Sequence, residues 1–177
     1  MLPKLTLIIG AAASGKSTFA ERLVTTTMRT RTYIATAQAF DDEMRAKIAR
    51  HRDMRGAGWR TIEAPLNLPA ALQQIPADHV VLIDCATLWL SNHLLAESDL
   101  EAEETDVLNA LQTCPAPVAI VSNEVGAGVV PNNALSRKFR EAQGRLNQSL
   151  AAQASLVVTV IAGLPMVLKG TLPEALE

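Results

Sequence analysis

Residues 10 to 17 read Gly10, Ala11, Ala12, Ala13, Ser14, Gly15, Lys16, Ser17. Two glycines five apart followed by Lys and Ser make the pattern G-x-x-x-x-G-K-[ST], a phosphate-binding loop or P-loop. Its chemistry is direct. Backbone N–H groups of the loop and of the following helix point inward and hold phosphate oxygens. Lys16 can reach β- and γ-phosphates, and the Ser17 hydroxyl can ligate Mg²⁺. The motif requires a strand before it and a helix after it. Leu5 to Ile9 is apolar and rich in β-branched residues, as a buried strand should be. Phe19 and Leu23 lie four apart, on one face of a helix. A secretory signal is the competing reading: Lys4, an apolar stretch, then small residues. That stretch is short, and cleavage near Ala13 would cut through a complete P-loop, so the P-loop reading is preferred.

A second acid belongs with the first motif. Val80 to Ile83 is an apolar run that ends in Asp84. A carboxylate closing a buried strand is the Walker B arrangement, which helps hold Mg²⁺ in P-loop enzymes. Alone, such an acid would be taken for a turn residue or a cap; beside a P-loop the metal role is favoured. Other polar clusters follow apolar runs: Thr36, then Asp41, Asp42 and Glu43, and the stretch Ser122 to Pro131 with Gly126 and Gly128. In open α/β sheets ligands bind beyond the C-terminal ends of the strands, where these clusters fall. The two glycines would let the second stretch approach a ligand closely. Arg137 and Arg140, three apart on a helix, either clamp phosphates or form a solvated basic face.

His51 has two readings. It is seven after Met44 and three after Ile48, on their apolar helix face. The ordinary reading is a partly buried, hydrogen-bonded structural histidine. It is also flanked by Arg50 and Arg52, with Arg55 beyond. Neighbouring cations disfavour the protonated ring, and neutral imidazole is the nucleophilic form. The residues permit a nucleophile here without demanding one. His79 and His93 lack such surroundings.

The elements that must position these residues follow from apolar patterning. Strands are expected at Leu5–Ile9, Thr32–Ala35, Val80–Ile83, Val118–Val121 and Leu156–Ile161, and helices near 17–26, 41–52, 69–75, 88–95, 101–112 and 134–153. The last helix carries Leu135, Phe139, Ala142, Leu146 and Leu150 on one stripe. Continuous apolar strands alternating with helices predict a three-layer α/β/α sandwich around a mostly parallel sheet, the P-loop nucleoside triphosphatase fold. With 177 residues the chain, residues 1–177, is one domain long. The acidic segment Glu97 to Asp106 reads as a solvated loop and helix start. A net charge of −2 and pI near 5.9 argue against a general nucleic-acid binder. Cys85 and Cys114 read as buried thiols in a reducing cytoplasm. No apolar run is long enough to span a bilayer.

Taken together, the segments are similar to a known family. The P-loop, Tyr33-Ile-Ala-Thr36, Asp41-Asp-Glu-Met44, and His51-Arg52 followed by Trp59-Arg-Thr-Ile-Glu63 match in order. So do Asp84-Cys-Ala-Thr-Leu-Trp-Leu-Ser-Asn92, Ser122-Asn-Glu-Val-Gly-Ala-Gly-Val-Val-Pro131, Arg137-Lys-Phe-Arg140 with Gly144-Arg-Leu-Asn-Gln148, and the tail Ala162 to Gly170. The chain resembles the bifunctional adenosylcobinamide kinase / adenosylcobinamide-phosphate guanylyltransferases of cobalamin biosynthesis over nearly its whole length. The P-loop is generic; the blocks around His51 and Asn123 are far more specific.

The resemblance implies two reactions. ATP or GTP gives its γ-phosphoryl group to the aminopropanol hydroxyl of adenosylcobinamide. GTP then transfers GMP to the resulting adenosylcobinamide phosphate, giving adenosyl-GDP-cobinamide and pyrophosphate. It further implies that the guanylyl group rests first on a histidine at the position of His51. Nucleotide contacts carried over from the family fall on the P-loop, on Ile34, Ala35 and Thr36, on Arg52, Asp53, Met54 and Arg55, and on Glu63 and Asp84. A homotrimer is implied as well. The chain departs from the family's loop, which usually has Gly where Ala11 stands and Arg where Ala13 stands. A single-step small-molecule kinase and a nucleotide-driven switch protein are the other readings of a P-loop; neither needs a nucleophilic histidine.

Overall fold

The computed structural model describes residues 2–38 and 57–176. The expected helix at 41–52, the acids Asp41, Asp42 and Glu43, and His51, Arg52, Asp53, Met54 and Arg55 lie outside the described residues. Among the described residues seven strands form one sheet: β1 (Leu5–Gly10), β2 (Thr30–Ala35), β3 (Trp59–Glu63), β4 (His79–Asp84), β5 (Val118–Asn123), β6 (Leu156–Ile161) and β7 (Leu164–Lys169). Their spatial order is β3-β2-β4-β5-β1-β6-β7. All neighbours pair in parallel except β7, which runs antiparallel to β6.

The helices are α1 (Lys16–Thr25), α2 (Leu68–Gln73), α3 (Ala86–Leu95), α4 (Leu100–Thr113) and α5 (Ala134–Gln153). Each face of the sheet is covered, which is why the central strands are apolar on both sides. On one face Phe19, Ala20, Leu23 and Val24 of α1 pack on Ile8, Leu82, Val121 and Val158. On the other, Leu72, Trp89, Leu111 and Leu146 of α2 to α5 pack on Leu7, Ile83 and Ile120. The result is the three-layer α/β/α P-loop fold that the patterning predicts. Among the described residues no helix is long and apolar enough to cross a membrane.

The starts of α2, α4 and α5 are written in side chains. Asn67 and Asn133 each accept a hydrogen bond from the N–H three residues on, at 3.2 and 2.7 Å. Asp99 accepts from Glu101 and Ala102, with Glu101 and Glu103 in the first turn. The acidic segment is therefore a capped helix start, as expected. One detail of the α5 stripe differs: Ala142, Leu146 and Leu150 are buried, but Leu135 is exposed, because the first turn of α5 extends past the core.

Two strands escape the patterning. β3 alternates weakly and is mostly exposed; β7 is exposed along its whole length and contains Pro165. Both are sheet edges, where burial does not impose an apolar run and Pro is tolerated. The β6–β7 connection is a two-residue turn with positive φ at Ala162 (52°) and Gly163 (79°), the backbone hand of a tight hairpin.

Candidate nucleotide site

β1 delivers the chain at Gly10 and α1 takes it up at Lys16. Between them Ala11, Ala12 and Ala13 are exposed, Ala13 has φ 55°, and Gly15 has φ 91°. Glycine at the ends of this loop is a matter of space and hand. A Cβ on Gly10 would lie 2.6 Å from the Val160 carbonyl oxygen. One on Gly15 would lie 3.0 Å from Gly163 Cα and would carry a left-handed backbone. The β6–β7 turn holds the loop directly, since Gly163 N–H donates to the Ser14 carbonyl at 2.8 Å. Lys16 is buried, and its Nζ donates to the Ala11 carbonyl oxygen at 3.0 Å.

The register lines the remaining acids along the same edge. Ala35 pairs with Glu63 on one side and with Asp84 on the other; Asp84 pairs with Val121, and Gly10 with Asn123. Side chains alternate between faces along a strand. Leu82 of β4, Val121 of β5, Ile8 of β1 and Trp59 of β3 pack on the α1 face. Asp84, Asn123 and Gly10 two residues further on, and Glu63 four residues on from Trp59, belong to that same face. The structure thus brings Glu63, Asp84, Asn123 and the P-loop together on one face of one sheet edge. Ile34 is fully buried in the opposite core, so only its backbone faces the edge region.

Thr36 and the strand-to-helix turn after Asp84 lock each other. The Thr36 hydroxyl donates to the Cys85 carbonyl and accepts from the Cys85 N–H, both at 2.7 Å. Asn92 Nδ2 donates to the Thr36 carbonyl at 2.8 Å and to Pro65 at 2.9 Å. Trp89 Nε1 and His93 Nε2 both donate to Leu66, at 2.9 and 3.1 Å. The segment from Asp84 to Asn92 is therefore a clamp that fixes the ends of β2, β3 and β4 together. The Asp84–Cys85 peptide is cis. Burial, and then the charge of Asp84, push the Cys85 thiol up to about 11, so it is protonated and inert at neutral pH. Cys85 and Cys114 are buried free thiols.

Behind the tip of β5 lies a polar cluster that patterning did not single out. Ser122 Oγ donates to Asn147 Oδ1 at 2.6 Å, and Gln143 Nε2 donates to both at 3.0 Å. Asn147 Nδ2 donates to the Asn123 carbonyl at 3.0 Å, while Asn123 N–H donates to Thr87 Oγ1 at 2.8 Å. The available signal was Gln143 and Asn147, four apart between Ala142, Leu146 and Leu150 on the buried face of α5. Arg137 and Arg140 turn out to brace the loop beyond β5: Arg137 donates to Pro131 at 3.0 Å and Arg140 to Gly126. Neither Gly126 nor Gly128 takes a positive φ. A Cβ on Gly126 would meet only the flexible carboxylate end of Glu124, 2.8 Å from its Oε1, which can swing aside.

The cobinamide kinase / cobinamide phosphate guanyltransferase family matches residues 6–168. The chain belongs to this family. It is 47% identical over 167 residues to the bifunctional adenosylcobalamin biosynthesis protein CobP of Pseudomonas aeruginosa, covering 93% of this chain and 96% of that protein. It is 39% identical over 179 residues to the bifunctional adenosylcobalamin biosynthesis protein CobU of Escherichia coli, covering 92% of this chain and 98% of that one. Among solved structures it is similar to the RadB recombinase, with TM-score 0.53, 18% identity and coverage of 89% and 74%. A protein from Pyrococcus horikoshii superposes with TM-score 0.57 at 9% identity, covering 98% and 90%. These two likenesses concern the fold alone. For a member of the cobinamide family, the clamp around Thr36 and the cluster behind Asn123 are the scaffolding of the sheet edge on which a nucleotide would lie.

Proposed function

We propose that this protein is a bifunctional enzyme of cobalamin biosynthesis that runs both reactions on one sheet edge. It phosphorylates adenosylcobinamide with ATP or GTP, then transfers GMP from GTP to adenosylcobinamide phosphate. The carrying observation is the meeting of the P-loop, Asp84 and Glu63 on one face of that edge, in a chain of this family. Gly10 to Ser17 cradle the triphosphate. Lys16 exchanges its bond to Ala11 for one to phosphate and follows the charge that develops in transfer. Ser17 and Asp84 offer a hydroxyl and a carboxylate, hard oxygen donors that suit Mg²⁺. Such an ion, when bound, draws charge off the phosphates. Ile34 to Thr36, Arg52 to Arg55 and Glu63 complete the nucleotide contacts.

His51 carries the guanylyl group. Neutral imidazole is a good nucleophile near pH 7, and its P–N bond can pass the group onward. Splitting the transfer lets one phosphate site serve twice, first for attack on GTP and then for attack by the corrinoid phosphate. The protein acts in the cytoplasm as a homotrimer, as the family resemblance implies. Incubation with α-labelled GTP and Mg²⁺ should leave acid-labile label on the wild type, because phosphoramidates hydrolyse in acid while Ser and Thr phosphate esters persist. His51→Ala should abolish both the label and guanylyl transfer, and spare most of the kinase rate. Label that survives acid, or that stays on folded His51→Ala protein, would place the nucleophile elsewhere.

A further inference from the structure

Asn123 is held from three sides and left with one buried polar atom unused. Its N–H is taken by Thr87 of α3 and its carbonyl by Asn147 of α5. Its neighbour Ser122 is bound into the Gln143–Asn147 cluster, and the next N–H, of Glu124, donates to the Gly10 carbonyl at 3.0 Å. Yet Asn123 Oδ1 is buried without a hydrogen-bond partner among the described residues. Leaving a buried acceptor without a donor is unfavourable, so a group that brings one is favoured there. Strand order gives the position meaning. β5 stands between β4, which ends in Asp84, and β1, which opens the P-loop. The tip of β5 therefore lies between the proposed metal-binding acid and the phosphate cradle, and Asn123 belongs to the face on which both stand.

A nucleoside triphosphate brings only acceptors to this point. The proton donor that the first reaction brings is the substrate alcohol. We infer that Asn123 Oδ1 accepts the O–H of the hydroxyl that receives the γ-phosphoryl group, and aims its oxygen lone pair at phosphorus. This deepens the reading given under Proposed function and rests on it. In that step the hydroxyl oxygen–phosphorus bond forms and the γ-phosphorus–bridging oxygen bond breaks. The nucleoside diphosphate leaves with the electron pair, and the hydroxyl proton passes to a phosphate oxygen or water. The amide orients and keeps no proton. In the second reaction the nucleophile is a phosphate, largely deprotonated at neutral pH, with no O–H to orient. Asn123 should therefore matter to one reaction and not to the other.

The test assays the two reactions separately on full-length protein: phosphorylation of adenosylcobinamide, and guanylyl transfer to preformed adenosylcobinamide phosphate. Asn123→Ala should lower the kinase kcat roughly ten- to a hundredfold, the scale of lost positioning. Nucleotide KM and the guanylyl-transfer rate should stay within about threefold. Asn123→Asp, which keeps an oxygen acceptor in place, should restore most of the kinase kcat while raising nucleotide KM through its charge. If Asn123→Ala does not fold, Asn123→Ser, whose hydroxyl stops short of the amide oxygen, carries the same expectation. Equal loss of both reactions, or full kinase activity in Asn123→Ala, overturns the assignment alone. So does a lost rate recovered by extra Mg²⁺, which would give the oxygen to a metal-bound water. Wild-type protein that performs neither reaction overturns the functional reading, and the assignment with it.

Discussion

Asp84 shows how one side chain is made into a site by its neighbours. Its strand pairs it with Ala35 and Val121, its face is that of α1, and the Thr36–Cys85 bonds fix the turn directly after it. A carboxylate so held is a ready ligand for a hard cation, and the neutral amide of Asn is a poorer one. Asp84→Asn should therefore raise the Mg²⁺ concentration for half-maximal activity roughly tenfold or more and lower the rate at saturation. Titrating Mg²⁺ against turnover checks this; an unchanged half-saturation point with full turnover would make Asp84 a structural residue. Lys16, Ser17 and Asp84 were legible in the sequence because a motif fixes their spacing and a buried strand ends at the acid. The stretch holding Asn123 was legible as a polar cluster at a strand tip, but the partners of Asn123 and the part played by Gln143 were not. Their roles depend on which strands are neighbours and which helix covers them, and no local spacing carries that information. The arginines had two readings for the same reason: spacing puts Arg137 and Arg140 on one helix face, but only the fold shows that each donates to a carbonyl of the preceding loop.

The five strands read from the sequence are those packed by helices or by neighbouring strands, where burial imposes apolar runs; edge strands β3 and β7 lacked that constraint and went unseen. β7 nevertheless matters to the site, because its turn with β6 donates to Ser14 and crowds Gly15. The P-loop is thus pinned by a hairpin far along the chain as well as by its own helix. Two glycines separate the causes. At Gly163 there is open space but φ is +79°, so Gly163→Ala costs only backbone hand, about 1–2 kcal/mol. At Gly10 the backbone hand is ordinary, but an added Cβ meets the Val160 carbonyl at 2.6 Å. Gly10→Ala must therefore move β1 against β6, at about 2–3 kcal/mol or more, and displace the phosphate cradle. Urea unfolding should rank Gly10→Ala below Gly163→Ala in stability, and only the former should lose most nucleotide affinity. Equal nucleotide affinity in the two variants would mean that the loop tolerates the shift of β1.

Seven strands in the order β3-β2-β4-β5-β1-β6-β7 put the chain's one P-loop at one place on the edge, between the tips of β5 and β6. Two reactions proposed for the chain must then share it: a γ-phosphoryl transfer, which leaves a nucleoside diphosphate, and an attack on the α-phosphorus, which leaves pyrophosphate. They differ in which phosphorus is struck, and so in where the nucleophile stands. Glu63 on β3 and Asn123 on β5 mark places three strands apart in the sheet order β3-β2-β4-β5-β1, with Asp84 between them. One cradle with nucleophiles approaching at different points along the edge is a geometry that allows both outcomes without a second nucleotide site. Shared use has a sharp consequence. An ATP analogue with a non-hydrolysable β,γ-bridge should inhibit formation of the GMP adduct competitively with GTP, with the same inhibition constant that it shows against the kinase step. Lys16→Ala should lower both rates in parallel, each by about a hundredfold or more, because both transition states place charge on the phosphates this ammonium meets. An analogue that blocks the kinase step while leaving adduct formation at full rate, or a Lys16→Ala protein that keeps one activity intact, would require two separate nucleotide sites on the molecule.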